Sequence, residues 1–197
     1  MNEISLHIKN FLQIQNECVN KIQENTHEID EIIKMIISAR KNRKTIFTMG
    51  NGGSGSTASH FVSDLQKTVI VKNENRIKAI SLVDNIPVIL AWSNDVSFDK
   101  IFEEQLKNQV EKNDIVIAFS GSGKSKNIIN ALKTAKKMGA KCIGFTGKTG
   151  GSFNTICDIT FKVLSNDMLT IESQHVTICH CIASTIRSLG KPMFEYD

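Results

Sequence analysis

The sequence predicts an α/β fold: a five-stranded parallel sheet sandwiched by helices, in a flavodoxin-like three-layer arrangement, with a helical arm in front of it. Three observations lead there. Five short β-rich segments follow Lys44: TIFTM, IKAISLV, DIVIAFS, KCIGFTG and DITFKVL. Their apolar character is nearly continuous, so both faces of the sheet must be dry. Each segment runs into a turn or a helical stretch, and strands separated by helices pair in parallel.

Taken in order, the arm comes first. Ile8, Phe11, Leu12, Ile29, Ile32, Ile33, Ile36 and Ile37 recur at helical spacing with charges between them, which reads as two helices broken near residues 24–26. The five strands follow with their helices. A last periodic stretch, about 167–189, carries Ile171, Val176, Ile178, Ile182, Ala183 and Ile186 and is stopped by Gly190 and Pro192. With 197 residues, one core is the default. The reading is a single domain over 1–197, an arm over 1–40 and an α/β core over 41–197, with no repeat and no flexible linker.

Composition narrows the function. Hydrophobic residues at 41% and charged residues at 22%, with 2 prolines, exclude a disordered or fibrous chain. The net charge of +4 comes from scattered lysines and arginines, so nucleic acid is not implied and an acidic small molecule remains open. No apolar run approaches the ~20 residues of a membrane span, and the start MNEISLHIKN lacks the features of a signal peptide. A cytoplasmic protein without a membrane partner is expected. Five cysteines without a CxxC pair support neither a disulfide framework nor a cysteine zinc site.

Two loops carry the chemistry. Gly50-Asn51-Gly52-Gly53-Ser54-Gly55-Ser56 stands between the first strand and a helical segment. Such a junction aims backbone N–H groups and a helix dipole at one point, where a phosphate or a sugar hydroxyl can sit. It is neither a Walker A loop nor a GxGxxG, so no nucleotide cofactor is expected. The second loop, Ser120-Gly121-Ser122-Gly123-Lys124-Ser125, follows the third strand. Its hydroxyls and the helix behind it can donate to different oxygens of one phosphomonoester.

A third group consists of metal-ligating side chains. His60 and Asp64 stand four apart on the helix opened by the glycine loop, on one face. On the closing helix Glu172 and His180 are about 80° apart and can face one groove. His175 lies on the other side of Glu172, about 140° from His180, so the two histidines are not expected to ligate one ion together, and the angles alone do not choose between them. Two imidazoles and two carboxylates suit zinc or another divalent transition ion, and a carboxylate there can also move a proton. Eight residues of helix rise about 12 Å. Glu172 and His180 must therefore converge with extended arms or come from different subunits.

The set GNGGS, HFxxD, NDxxxxxxF, SGSGxS and IExxHxxxxH resembles the sugar isomerase (SIS) domain, most closely the phosphoheptose isomerase (sedoheptulose 7-phosphate isomerase) family. The resemblance implies a helical oligomerisation arm and a homotetramer with active sites between subunits. It implies sugar contacts at Asn51, Gly52 and Gly53, with Ser54 beside them, and a substrate-binding pair at Asn94 and Asp95. The phosphate loop would be Ser120, Gly121, Ser122 and Ser125. Zinc would be held by His60, Asp64, Glu172 and His180, with Asp64 and His180 as the acid/base pair and Asp64 and Glu172 also facing substrate. Members best known to this family have Glu, Gln, a Gly-Arg pair and Thr where this chain has Asp64, Glu172, Lys67-Thr68 and Gly121.

The implied activity is aldose-ketose isomerisation through an enediol, from sedoheptulose 7-phosphate to D-glycero-D-manno-heptose 7-phosphate, feeding a surface glycan. Two alternatives stand beside it. One is a non-catalytic SIS module resembling the replication initiator-associating protein of bacteria, which binds a partner protein. The other is an isomerase or sensor for a different sugar phosphate, such as arabinose 5-phosphate or an N-acetylated hexosamine phosphate.

Overall fold

The switch from helical to strand patterning after Lys44 is where the chain enters its sheet. The computed structural model describes residues 2–194. Two helices come first, α1 (Glu3–Glu24) and α2 (His27–Lys41), separated by the break at Asn25 and Thr26. Strand β1 (Thr45–Gly50) leads into α3 (Gly52–Ser63), whose last turn widens into a π-helical segment, Asp64–Thr68. Then come β2 (Lys78–Ser81), α4 (Ile86–Asp95), a 3-10 turn (Phe98–Lys100) and α5 (Glu103–Gln109). The second half alternates β3 (Ile115–Phe119), α6 (Lys126–Lys137), β4 (Lys141–Thr146), α7 (Phe153–Ile156), β5 (Ile159–Lys162) and α8 (Met168–Ser188).

All five strands are parallel, in the order β2-β1-β3-β4-β5. Strand β3 shows why the apolar runs are unbroken. Ile115, Ile117 and Phe119 point to the face covered by α2, α3 and α8, while Val116 and Ala118 point to the face covered by α5 and α6. Period-two alternation of the side chains thus serves two cores at once. Each large apolar side chain buried there contributes roughly 1.5–3 kcal/mol.

The strand order also fixes where a ligand can go. From β1 the chain moves out to β2, then returns across β1 to β3 and continues the other way to β4 and β5. The loops after β1 and β3 therefore diverge, and a crevice opens at the carboxyl ends of these neighbours, the switch point where open α/β sheets bind ligands. The glycine loop and the serine loop are these two loops.

The arm is the least covered element. Cys18 is its buried residue, and Ile4, Leu6, Ile8, Leu12, Ile14 and Val19 are exposed. It is tied to α8 through Gln15, which donates to Thr170 Oγ1 at 3.0 Å and accepts from Gln174 Nε2 at 2.8 Å.

His175 belongs to the core. It is fully buried between Phe119 and Phe145, and its Nε2 lies 3.4 Å from the Thr146 carbonyl. Burial pushes its imidazole down to about 4, with the Thr146 carbonyl opposing. The folded state thus prefers neutral His175, while the unfolded chain protonates near pH 6.5. The associated stability is complete above pH 6.5 and is lost as the pH falls towards 4, on the order of 3 kcal/mol in all. Denaturant midpoints measured from pH 7 to 4.5 should fall, and His175→Leu should flatten that profile.

Candidate active site

The glycine loop needs its glycines for close approach. A Cβ at Gly50 would collide with the backbone carbonyl of Ser54, so α3 can start directly against the end of β1 only with glycine there. Gly52 adopts a φ of 53°, the left-handed region. Asn51 takes the N-cap position of α3 but makes no side-chain cap bond, and its amide crosses to the other loop instead. There Asn51 Nδ2 donates to Asn127 Oδ1 at 3.0 Å, and Asn127 Nδ2 donates to Asn51 Oδ1 at 2.8 Å.

The serine loop wraps the start of α6. Ser120 is buried, and its Oγ lies 3.3 Å from Ser125 Oγ. Ser122 Oγ accepts from the Lys124 N–H at 3.2 Å. Ser125 takes the N-cap position in extended conformation without capping the helix by its side chain. Asn127 Oδ1 takes the N–H of Ile128, and the N–H groups of the two residues before it, Lys126 and Asn127, are the ones that can meet an anion. Ser120, Gly121, Ser122 and Ser125 line a cavity of about 130 Å3 with Asn51, Ser54, Phe119, Met168 and Glu172. At Gly121 the space of a Cβ is filled by the end of the Met168 side chain, which would have to swing aside for a larger residue.

Glu172 closes this cavity. Its carboxylate lies over Gly53, where a Cβ would collide with it, and its Oε1 accepts from Ser54 Oγ at 3.4 Å. One face of α8 thus meets the start of α3. Two turns further along the same helix pair, His180 meets His60, with their Nε2 atoms 2.7 Å apart. Asp64 Oδ2 lies 3.5 Å from His60 Nε2 and 3.7 Å from His180 Nε2. The Asp64 side chain is 13% exposed, against 47% and 56% for the two imidazoles, so the triad opens to solvent on its histidine side.

This triad suits a divalent transition ion. One ligand atom from each residue lies within 4.8 Å of the others. Asp64 Oδ2 is buried and has no hydrogen-bond partner, while Oδ1 accepts from Thr68 Oγ1 at 3.1 Å. An orphaned buried carboxylate oxygen facing two imidazole nitrogens is the donor set that zinc prefers, and Thr68 orients it from behind. Asp64 opens the π-helical segment, and such widened turns recur at functional sites.

Of the four residues read as metal ligands, the structure brings together His60, Asp64 and His180. Glu172 stands apart, at the serine-loop cavity, because eight residues of straight helix separate it from His180 and its arm does not span that rise. Asn94 and Asp95 stand at the exposed end of α4, where Asn94 Nδ2 donates to Asp95 Oδ1 at 2.7 Å. Neither lines the serine-loop cavity or the larger one, about 400 Å3, beyond the glycine loop. Sequence reading missed three contributors: Asn127, Met168 and Thr68. Each is a common residue at a helix end, and only tertiary packing singles it out.

Residues 10–147 match the SIS domain family. The chain is 37% identical over 180 residues to the phosphoheptose isomerase of Aliarcobacter butzleri, covering 91% of this chain and 94% of that one. This chain belongs to the phosphoheptose isomerase family of SIS domains. It is 34% identical over 186 residues to the phosphoheptose isomerase of Campylobacter concisus, with 94% and 93% covered. Among solved structures, the phosphoheptose isomerase of Francisella tularensis superposes with a TM-score of 0.88 at 26% identity, over 95% of this chain and 100% of that one. The phosphoheptose isomerase fold thus carries the α/β sheet, the switch-point crevice and the flanking helices described above.

Proposed function

We propose that this chain interconverts sedoheptulose 7-phosphate and D-glycero-D-manno-heptose 7-phosphate, with a divalent ion, zinc by its ligands, held by His60, Asp64 and His180. One observation carries the reading: the same pair of helices, α3 and α8, joins an anion cradle at one end to a metal-competent triad at the other. The cradle and the triad are separated along α8 by about 12 Å. An extended seven-carbon sugar phosphate can bridge such a gap, and a triose phosphate cannot.

In this reading Ser120, Ser122, Ser125 and the N-terminus of α6 hold the phosphate. Asn51, Gly52, Gly53 and Ser54 line the path of the open-chain sugar, and Glu172 accepts hydrogen bonds from its hydroxyls. Asp64 and His180 form the proton-transfer pair. From a ketose, the proton leaves C1 to give an enediolate, a proton is delivered to C2, and the hydroxyl proton passes from O1 to O2. A bound divalent ion supplies positive charge where oxygen becomes negative. The half-exposed imidazoles leave room for substrate beside the ligands.

The exposed apolar face of α1 supports a homo-oligomer, for which a tetramer is the proposal, since an uncovered stripe of this length marks an interaction surface. No described helix is long and apolar enough to cross a membrane; the cytoplasm is the proposed compartment, and a surface glycan the proposed destination of the product.

The test is a panel of ketose and aldose phosphates offered to the zinc-loaded protein. Conversion of sedoheptulose 7-phosphate is expected. Ser120→Ala and Ser125→Ala should each raise KM by roughly tenfold or more with little change in kcat, because each removes a hydrogen bond to a charged oxygen. Conversion of arabinose 5-phosphate alone would move the substrate assignment, and no conversion of any sugar would overturn it.

A further inference from the structure

Asn127 governs the orientation of Asn51. It is the second residue of α6 and 2% exposed. Its Oδ1 accepts from the backbone N–H of Ile128 at 3.0 Å. A backbone N–H can only donate, so this contact decides which end of the buried amide is oxygen. The Asn127 Nδ2 then faces Asn51 Oδ1, and the Asn127 Oδ1 receives Asn51 Nδ2. A main-chain group of α6 thereby sets, two links away, the direction of an amide on the glycine loop. Asn51 lines both the serine-loop cavity and the larger cavity beyond the glycine loop, so its direction determines which amide atoms a ligand meets.

We propose that Asn127 is a positioning residue: through Asn51 it holds the sugar-facing loop in fixed orientation and spacing relative to the phosphate-facing loop. This rests on the sugar-phosphate reading above. Losing the clamp leaves the hydroxyls of the serine loop and the N-terminus of α6 in place, so an anion is still captured. What is lost is the alignment of the sugar with Asp64 and His180, and a misalignment of this kind lowers kcat.

The experiment uses the full chain loaded with zinc. Asn127→Leu keeps a buried volume and removes both amide bonds, and Asn127→Ala is the second variant. In each, kcat on the sugar phosphate that the wild type converts should fall about 10- to 100-fold. Inorganic phosphate, as competitive inhibitor, should keep its inhibition constant within roughly threefold. Asn51→Ala should lose as much kcat, and the double variant no more, since the two amides act as one unit.

Wild-type kcat in a folded Asn127 variant overturns the proposal. So does a phosphate inhibition constant that rises in step with the loss of kcat, or losses that multiply in the double variant. Failure of both Asn127 variants to fold makes the residue structural and overturns it as well. These outcomes leave the isomerase reading standing, whereas a wild type that converts no sugar phosphate removes that reading and the proposal together.

Discussion

Replacing Asp64 with asparagine should strip the protein of its divalent ion and lower turnover by about a thousandfold. The substitution is nearly isosteric. The new side chain can still accept from Thr68 Oγ1, as Asp64 does at 3.1 Å, so the π-helical segment keeps its local bond. What changes is the atom between the imidazoles. Oδ2 is buried without a hydrogen-bond partner and lies within 3.7 Å of both His60 and His180 Nε2. An amide there removes the negative charge that makes the triad attractive to a cation, and also removes one member of the proton-transfer pair. Metal content by elemental analysis should drop from near one ion per chain to trace, with unfolding little affected. Full metal content and full turnover in Asp64→Asn would contradict the assignment.

The largest effect on stability is expected from Gly50→Ala. The added methyl group would collide with the Ser54 carbonyl and its carbon. Both belong to the backbone, so no side-chain rotation relieves the clash. Helix α3 would have to move off the end of β1, against the bond from Thr48 Oγ1 to the Ala58 carbonyl at 2.9 Å. A loss of about 3 kcal/mol or more follows, which corresponds to a fall in Tm of roughly 6–12 °C for a chain of this size. Turnover should fall too, because α3 carries His60 and runs into the π-helical segment that begins with Asp64. Gly52→Ala is the control: its φ of 53° is strained for alanine but a Cβ there meets nothing within 4 Å, so about 1–2 kcal/mol is expected. Thermal melts of the two variants, measured side by side, check the difference.

Much of this architecture was legible in the residues. Unbroken apolar runs such as IVIAF require a sheet dry on both faces, and β3 serves both cores in that way. The two loops were legible because only glycine and small hydroxyl residues permit close backbone approach at a strand-to-helix turn. The spacing of His60 and Asp64 located two of the three members of the triad, since residues four apart share a helix face. Helical angle set His175 and His180 apart without choosing between them; the family resemblance chose His180, and His175 lies in the core.

The rest depended on how helices lie against each other. Helical periodicity puts Glu172 and His180 near one face of α8 but says nothing of which part of α3 each meets. The former meets Gly53 and the latter His60. Asn127 carries no sequence signal, because a polar residue in a first helical turn is ordinarily solvated; its burial follows from the crossing of the two loops at the switch point. The π-helical segment at Asp64–Thr68, which lies against α8, likewise has no residue pattern that announces it.

The most direct test of the central claim is exchange of solvent deuterium into sedoheptulose 7-phosphate by the zinc-loaded protein, followed by proton NMR at C1 and C2. If the serine loop and the His60, Asp64 and His180 triad act on one molecule, label should enter at these carbons with wild-type protein, and His180→Ala should lose it. Absence of label with every sugar phosphate offered, in protein that is folded and metal-loaded, would contradict the account.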